Sequence, residues 1–185
     1  MKQIRNMIKL HDLTFEPYLS AEELDDTIAQ LAAEIYQDYQ DKTPVFVGVL
    51  NGSFMFLSDL VKHYPGPCEI QFVRFKSYEG THTTGEVNTL LDFSETEGKE
   101  LIIVEDIIDT GHTLQAIVDR LTHGQQKSYQ IASLFLKPEA YQKEIEINYV
   151  GMAIPNNFIV GYGLDYNELG RNLPEIYQLK QQHND

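Results

Sequence analysis

The sequence predicts an α/β fold in which a twisted, mainly parallel β-sheet is flanked by helices. Apolar segments of strand length alternate along the chain with longer segments whose apolar residues recur at helical spacing. Residues 45–50 and 101–104 are almost wholly apolar, as is typical of parallel strands that are covered on both faces. Because such sheets bind ligands at the carboxyl ends of their strands, functional residues are expected at that edge.

Three helices are expected between the strands. The first begins with Ser20 and Glu23, which match the capping-box pattern. The second covers residues 54–64, and the third runs from residue 114 to a stop signal at Gly124. Further strands are predicted at 70–75, 87–91, 131–136 and 158–162. The apolar spacing in the first helix predicts that its buried face consists of Leu24, Ile28, Leu31, Ile35 and Tyr39.

The chain, residues 1–185, is expected to form a single domain. Its length suffices for one sizeable core, and neither a linker nor an internal repeat divides it. The N-terminal segment (residues 6–13) and residues from about 145 to 185 would form a small hood subdomain above the ends of the strands.

Composition is that of a soluble globular protein, with 42% hydrophobic residues and a mean hydropathy of −0.32. No apolar run approaches the ~20 residues of a membrane helix, and no signal-peptide pattern opens the chain. The net charge of −14 argues against binding to nucleic acid, which relies on basic surface. Cys68 is the only cysteine, which favours a cytoplasmic location and a small core residue over a catalytic thiol.

Three carboxylates stand at the end of the apolar run 101–104. Glu105 and Asp106 follow it directly, and Asp109 comes three positions later. The next four residues form a Gly-containing turn at the start of the third helix, where unpaired N–H groups can cradle a phosphate. The adjacent carboxylates suit the vicinal diol of a ribose, directly or through a metal ion. The contacts predicted for a ribose 5-phosphate are Glu105, Asp106, Asp109, Thr110, Gly111, His112 and Thr113.

Asp109 lies between the diol and phosphate ends of this predicted site. A group on the anomeric carbon of the sugar would lie beside it, so Asp109 is the candidate general base. Acidic residues after a strand are often only helix N-caps or solvated loop residues. Here three acids coincide with a buried strand and an amphipathic helix, which favours a ligand site.

Residues 104–114, Val-Glu-Asp-Ile-Ile-Asp-Thr-Gly-His-Thr-Leu, closely resemble the phosphoribosyl-diphosphate motif of phosphoribosyltransferases. The form of the motif is typical of hypoxanthine-guanine phosphoribosyltransferase, since adenine and orotate enzymes usually differ at the position of Asp109. His112 is a departure, because relatives often carry Lys or Leu there. The resemblance covers most of the chain from about residue 10. It implies a type I phosphoribosyltransferase fold, a requirement for Mg²⁺ and a homodimer or homotetramer.

The resemblance extends to two loops. Leu50, Asn51 and Gly52 match the family's pyrophosphate-binding loop, which often holds a non-proline cis peptide and often carries Lys at the position of Asn51. Without the other motifs, this segment would be taken as an ordinary strand-to-helix turn. Ser77 and Tyr78 match the start of the mobile loop that closes over the reacting centre, although composition alone favours a passive surface loop.

The base-binding residues implied by the resemblance lie further along the chain. Lys137 matches the lysine that contacts the exocyclic oxygen of a 6-oxopurine, although strand-end lysines often only snorkel to solvent. Phe158 would stack on the purine, and backbone groups near Ile159 and Asp165 would contact its edge. Without the resemblance, Phe158 would be interpreted as a core residue.

Mg²⁺ and pyrophosphate are assigned to the same region. Asp165 would hold a Mg²⁺ shared with pyrophosphate, and Glu105 and Asp106 are further candidate metal ligands. Arg171 would contact the pyrophosphate as a fork of donors. Considered alone, Asp165 and Arg171 could form a surface ion pair.

The resemblance implies a Mg²⁺-dependent enzyme of purine salvage. It would transfer the phosphoribosyl group of 5-phosphoribosyl 1-diphosphate to hypoxanthine or guanine, giving IMP or GMP and pyrophosphate, with Asp109 as the catalytic base. Two alternatives stay open: a regulatory sensor that binds the phosphoribosyl donor and then nucleic acid, and a transferase that prefers xanthine or a pyrimidine. The acidic charge and the short chain argue against the sensor.

Overall fold

The computed structural model describes residues 6–74 and 96–180. Within these residues the chain forms three helices and nine strands, which belong to two sheets. In chain order they are β1 (Ile8–Leu10), β2 (Leu13–Leu19), α1 (Ala21–Asp38), β3 (Val45–Leu50), α2 (Phe54–His63), β4 (Glu69–Arg74), β5 (Glu100–Ile108), α3 (His112–Leu121), β6 (Ser128–Leu136), β7 (Tyr149–Ala153), β8 (Ile159–Val160) and β9 (Ile176–Leu179).

The main sheet has five parallel strands in the order β4-β3-β5-β6-β7. Successive side chains of its central strand β5 enter different cores, as strand geometry requires. Ile102 and Val104 pack in the core that contains α1 and α2, whereas Leu101 and Ile103 pack in the core that contains α3. Helices therefore cover both faces, which confirms the predicted α/β class.

The smaller sheet is antiparallel, in the order β1-β2-β9-β8. Strand β2 was not predicted, because Glu16 and Pro17 interrupt its apolar pattern; the pairing register shifts between Pro17 and Leu19. Residues 158–162 were predicted as a strand of the main sheet. Only Ile159–Val160 pairs, and it does so in the smaller sheet, because the positive φ of Gly161 turns the chain away.

The predicted hood segment from about residue 145 divides between the two sheets. Its first strand, Tyr149–Ala153, pairs in parallel with β6 and forms the edge of the main sheet. Only Tyr149 is buried in this edge strand, and the rest of it is partly or fully exposed, although its sequence Tyr-Val-Gly-Met-Ala is apolar. The segment from β8 onward contributes to the smaller sheet together with the N-terminal strands.

Helix α1 begins as its sequence predicts. The Glu23 amide donates a hydrogen bond to Ser20 Oγ at 3.2 Å, and the Ser20 amide donates to Glu23 Oε2 at 2.8 Å. Both halves of the capping box are therefore present. The five residues predicted to face inward are buried.

Strand β5 is longer than predicted. It continues beyond residue 104 to Ile108, so that Glu105 and Asp106 belong to the strand rather than to the loop after it. Helix α3 begins two residues before its predicted start and ends at Leu121. Among the described residues, no helix has the length and apolar character that crossing a bilayer would require.

Replacing Ser20 by alanine should lower the free energy of unfolding by about 1 kcal/mol, because the first turn of α1 loses an acceptor for its unpaired amides. Urea unfolding followed by circular dichroism measures the change. Gln30→Ala, at an exposed position in the same helix, is the control and should stay within about 0.5 kcal/mol of the unmodified protein. Equal losses for the two variants would contradict a contribution from the cap.

Candidate active site

A cavity lies at the carboxyl ends of three neighbouring strands of the main sheet, β3, β5 and β6. Gly52, Asp109 and Lys137 follow these strands and line the cavity, as the α/β architecture predicts. Ile159 of β8 and residues after it complete the lining. The predicted site residues on the wall are Gly52, Asp106, Asp109, Lys137, Phe158, Ile159, Asp165 and Arg171, and Ile107 and Leu164 join them.

The other described candidates lie beside these residues in the chain but do not line the cavity. Two of them precede Gly52 at the end of β3, and four follow Asp109 in the turn and the first two residues of α3. The predicted site residues outside the lining are Leu50, Asn51, Glu105, Thr110, Gly111, His112 and Thr113. Ser77 and Tyr78, the predicted mobile loop, lie outside the described residues.

Gly52 is enclosed by other parts of the site. A Cβ atom added to it would lie 1.7 Å from Asp106 Oδ2, and a Cβ atom added to Gly163 would lie 2.0 Å from the Gly52 carbonyl oxygen. Neither position has room for a side chain. The peptide bond between Leu50 and Asn51 is cis, as in the loop that this segment resembles.

Lys137 and Asp109 form an ion pair on the wall of the cavity. Lys137 Nζ donates to Asp109 Oδ2 at 2.8 Å; the lysine side chain is 8% exposed and the aspartate 44%. The Lys137 amide donates to the Ile108 carbonyl oxygen, which fixes the lysine at the end of β6. The lysine is therefore held inside the cavity rather than directed to solvent.

Arg171 is anchored by a carboxylate and by a backbone carbonyl oxygen. Its guanidinium lies 2.7 Å from Asp165 Oδ1 and donates at 2.9 Å to the carbonyl oxygen of Gly163. Within residues 6–74 and 96–180, the buried Arg171 Nε has no hydrogen-bond partner. Asp165 and Arg171 thus do form an ion pair, but it lines the cavity rather than an open surface.

Phe158 presents an aromatic ring to the cavity and is not a core residue, since it is 42% exposed. The buried Phe15 supports it at a centroid distance of 6.1 Å, and Tyr166 contacts it edge-on at 5.8 Å. Ile159, the next residue, is buried and pairs with β9. The Phe158 ring is therefore fixed by its neighbours while part of it stays open to a ligand.

The turn after β5 has the geometry expected of an anion site at a helix start. Gly111 is the N-cap of α3 with φ of 83°, a left-handed conformation that favours glycine. Thr110 Oγ1 lies 3.0 Å from His112 Nδ1. The first amides of α3 follow, and such amides have no partners within their own helix.

Burial dominates the electrostatics of the two adjacent acids. It raises the pKa of Asp106 to about 6, against the lowering effects of backbone hydrogen bonds and of Arg171. Burial, with the charge of Asp106 added, raises the pKa of Glu105 well above its ordinary range. Glu105 is only 6% exposed, so contact with a ligand in the cavity is supported for Asp106 alone.

The oxygen ligands that the cavity offers decide whether it could hold Mg²⁺. No group of three or more His, Cys, Asp or Glu side chains in the described part of the chain is arranged to hold a metal ion. Asp106 and Asp165 nevertheless both line the cavity with carboxylate oxygens. Mg²⁺ is commonly held by one or two carboxylates together with substrate phosphates, so these residues fit a metal that arrives with a phosphorylated ligand.

Several contributors to the site were not predicted from the sequence. Ile107 and Leu164 line the cavity with side chains that resemble ordinary core residues. Phe15 lies far from Phe158 in the chain, so no local pattern connects them. Gly163 could have been found, because glycines on both sides of Tyr162 indicate unusual backbone geometry.

The raised pKa of Asp106 predicts a specific pH dependence of stability. Between about pH 4 and pH 6 the folded state binds the proton more tightly than the unfolded state, so the contribution of Asp106 falls as the pH rises. Relative to Asp106→Asn, the unmodified protein should lose on the order of 2 kcal/mol of unfolding free energy from pH 4 to pH 7.

Urea unfolding at several pH values checks this expectation. The same substitution at the exposed Asp26 is the control, and its difference from the unmodified protein should change much less over this range. A constant difference for Asp106→Asn would show that the buried carboxyl is not strained by ionisation.

Comparison with known proteins identifies the family. The model of the phosphoribosyl transferase domain matches residues 18–167. The hypoxanthine-guanine phosphoribosyltransferase of Staphylococcus aureus is 43% identical over 173 residues, which cover 92% of this chain and 97% of that protein. The Staphylococcus epidermidis enzyme of the same name is 44% identical over 164 residues, 88% of this chain and 92% of its own.

Solved structures of the same family are similar to this chain. A hypoxanthine phosphoribosyltransferase from Staphylococcus aureus superposes with a TM-score of 0.82 at 44% identity and covers 89% of this chain and 91% of its own. A hypoxanthine-guanine phosphoribosyltransferase from Bacillus anthracis gives a TM-score of 0.82 at 38% identity, over 89% of this chain and 98% of that one. Together, these likenesses show that the chain belongs to the hypoxanthine-guanine phosphoribosyltransferase family.

Proposed function

We propose that the protein transfers the 5-phosphoribosyl group of 5-phosphoribosyl 1-diphosphate to hypoxanthine or guanine, forming IMP or GMP and releasing pyrophosphate. The ion pair of Lys137 and Asp109 carries this proposal. In a 6-oxopurine, the exocyclic oxygen and N7 lie on the same side of the ring system. An ammonium and a carboxylate 2.8 Å apart match that pair of atoms, the first as a donor to oxygen and the second as an acceptor from N7–H.

The remaining base contacts support the same orientation. The exposed part of the Phe158 ring offers a stacking surface for the purine. Ile159 and Asp165 also line the cavity, and backbone groups near them would meet the other edge of the purine. A cation at the position of Lys137 favours a carbonyl oxygen over an amino group, which is a physical basis for rejecting adenine.

The donor would occupy the opposite part of the site. The turn 110–113 at the start of α3 suits the 5-phosphate, and Asp106 suits the ribose hydroxyls. The Gly52 loop and the guanidinium of Arg171 suit pyrophosphate. Mg²⁺ bound by Asp165 or Asp106 together with the donor would neutralise charge on the phosphates.

In the reaction, N9 of the purine attacks the anomeric carbon as the bond from that carbon to pyrophosphate breaks. Asp109 accepts or shares the proton of N7, which maintains electron density on the attacking ring. Arg171 stabilises the negative charge that develops on the leaving group. Asp106 lies where it can offset positive charge on the sugar.

Ultraviolet assays test the activity directly. The purified protein is given the phosphoribosyl donor and Mg²⁺ with hypoxanthine, guanine, xanthine, adenine or uracil in turn. Turnover with hypoxanthine or guanine supports the proposal, and it should disappear when Mg²⁺ is withheld. Turnover with only xanthine or uracil would favour the alternative transferases, and a donor-dependent shift of DNA in a gel without turnover would favour the sensor.

We also infer a homodimer or homotetramer in the cytoplasm. Two apolar side chains, Ile70 and Phe72, are 48% and 36% exposed on one face of the edge strand β4, a position that a second copy could cover. The single cysteine suits a reducing compartment. Light scattering after size-exclusion chromatography measures the assembly.

Asp109→Asn should lower kcat by roughly 10²–10⁴-fold, the usual effect of losing an acid–base group. Binding of the phosphoribosyl donor, measured by calorimetry, should be retained because Asp109 does not contact pyrophosphate in the proposed complex. Asp119→Asn, on the exposed side of α3, is the matched control. Unchanged turnover in Asp109→Asn would refute the assignment of the base.

Lys137→Gln should reduce the preference for hypoxanthine over adenine, because an amide can accept from an amino group as well as donate to a carbonyl. Loss of a charged hydrogen bond, ~1.5–3 kcal/mol, corresponds to a roughly 10- to 100-fold fall in kcat/KM for hypoxanthine. The control is Lys127→Gln near the opposite end of β6, where the lysine is 65% exposed. A preserved preference would argue against purine recognition by Lys137.

A further inference from the structure

The chain between β8 and Leu164 forms an unusual turn. Gly161, Tyr162 and Gly163 have φ values of 102°, 49° and 98°, so three consecutive residues lie in the left-handed region. A Cβ atom at Gly161 would lie 2.0 Å from the Glu175 carbonyl oxygen, so its backbone is packed as tightly as that of Gly163. Tyr162 carries a full side chain in a conformation that costs of order 1–3 kcal/mol and persists only where the surroundings impose it.

Three parts of the proposed site meet at this turn. The residues just before it, Phe158 and Ile159, belong to the purine side. Gly163 accepts a hydrogen bond from the Arg171 guanidinium at 2.9 Å, and its amide donates to the Arg171 carbonyl oxygen at 3.0 Å. Gly163 also lies against the carbonyl group of Gly52 in the pyrophosphate loop.

The side chain of Tyr162 connects the turn to a second element. Tyr162 is 5% exposed, and its hydroxyl donates a hydrogen bond to Asp59 Oδ2 in α2. Helix α2 begins at Phe54, directly after the pyrophosphate loop. Asp59 also accepts from Lys62 Nζ at 2.7 Å.

The environment of Asp59 makes this a hydrogen bond to a charged group. Partial burial pulls the pKa of Asp59 upward, but the hydrogen bonds from Lys62 and Tyr162 outweigh it and lower the pKa below its ordinary value. The Tyr162 pKa is raised by burial and by Asp59, so the phenol stays protonated and donates. Hydrogen bonds to charged groups are about twice as strong as neutral ones.

We propose that Tyr162 is a positioning residue, whose bond to Asp59 holds the Gly161–Gly163 turn against α2 and thereby sets Arg171 relative to the Gly52 loop. This inference rests on the proposed function, because the two aligned elements are the proposed pyrophosphate contacts. The phenol points into α2 and does not touch the reacting atoms. Its loss is therefore expected to weaken the capture of the donor more than the chemical step.

Tyr162→Phe tests the proposal, since it keeps the ring and removes only the hydroxyl. We expect KM for the phosphoribosyl donor to rise roughly 2- to 30-fold, with a smaller change in kcat. Asp59→Ala should produce a similar rise, and the double variant no more than either alone, because both remove the same bond. Asp59→Asn keeps an acceptor and should restore much of the lost affinity.

Tyr149→Phe is the matched control. The Tyr149 hydroxyl also lies 2.7 Å from a helix carboxylate, Asp38 Oδ2, but at the start of β7, away from the cavity. It should lose stability in urea unfolding without a change in KM. A merely structural role for Tyr162 would give the same result as this control.

The outcomes separate the two levels of inference. Turnover by the unmodified protein with an unchanged donor KM in Tyr162→Phe would overturn the positioning role and leave the proposed function in place. Additive effects of the Tyr162 and Asp59 substitutions would also overturn it. No transfer to any purine by the unmodified protein would refute the proposed function, and the positioning role with it.

Discussion

The site depends on a place where two backbones meet with no side chain between them. Gly52 follows β3 of the main sheet, and Gly163 follows β8 of the smaller sheet. A Cβ atom on either residue would overlap with the other segment or with Asp106. Because both are glycine, the two sheets approach closely enough for residues from both to enclose one cavity. Atoms of the protein interior are close-packed, so even one methyl group here would force the sheets apart.

The two acids in the central strand β5 lower the stability of the folded protein when no ligand is bound. Glu105 and Asp106 lie inside β5, where burial disfavours their charged forms. A hydrophobic residue at either position would fit the strand better. A ligand that brings hydroxyl donors or a cation to Asp106 would offset this strain, and binding would then stabilise the folded protein. The acids therefore illustrate stability given up at a functional site.

Much of this arrangement could be predicted because it follows from local patterns. The apolar strands, the capping box at Ser20 and the turn before α3 each have a short sequence signature. The adjacency of Gly52, Asp109 and Lys137 also follows from local patterns, since each comes just after a strand of one parallel sheet. The predictions that were wrong concern segments whose packing partners are distant in the chain. Nothing local places Tyr149–Ala153 at the sheet edge.

The residues around Phe158 show the same limit. The motif indicated a stacking ring, but not that Phe15 and Tyr166 would hold it. Likewise, the sequence contains both Arg171 and Asp165, yet the backbone carbonyl group of Gly163 that anchors the arginine is visible only in three dimensions. Long-range packing, rather than residue chemistry, is the part that sequence patterns leave undetermined.

The supported ring of Phe158 has a consequence for the thermodynamics of recognition. A side chain that becomes ordered on binding loses rotamer entropy of about 0.5–1.5 kcal/mol. Phe158 is already confined by Phe15 and Tyr166, so that loss occurs when the protein folds and not when a planar ligand arrives. The stacking surface is thus preorganised, so no aromatic side chain has to become ordered when a flat heterocycle binds.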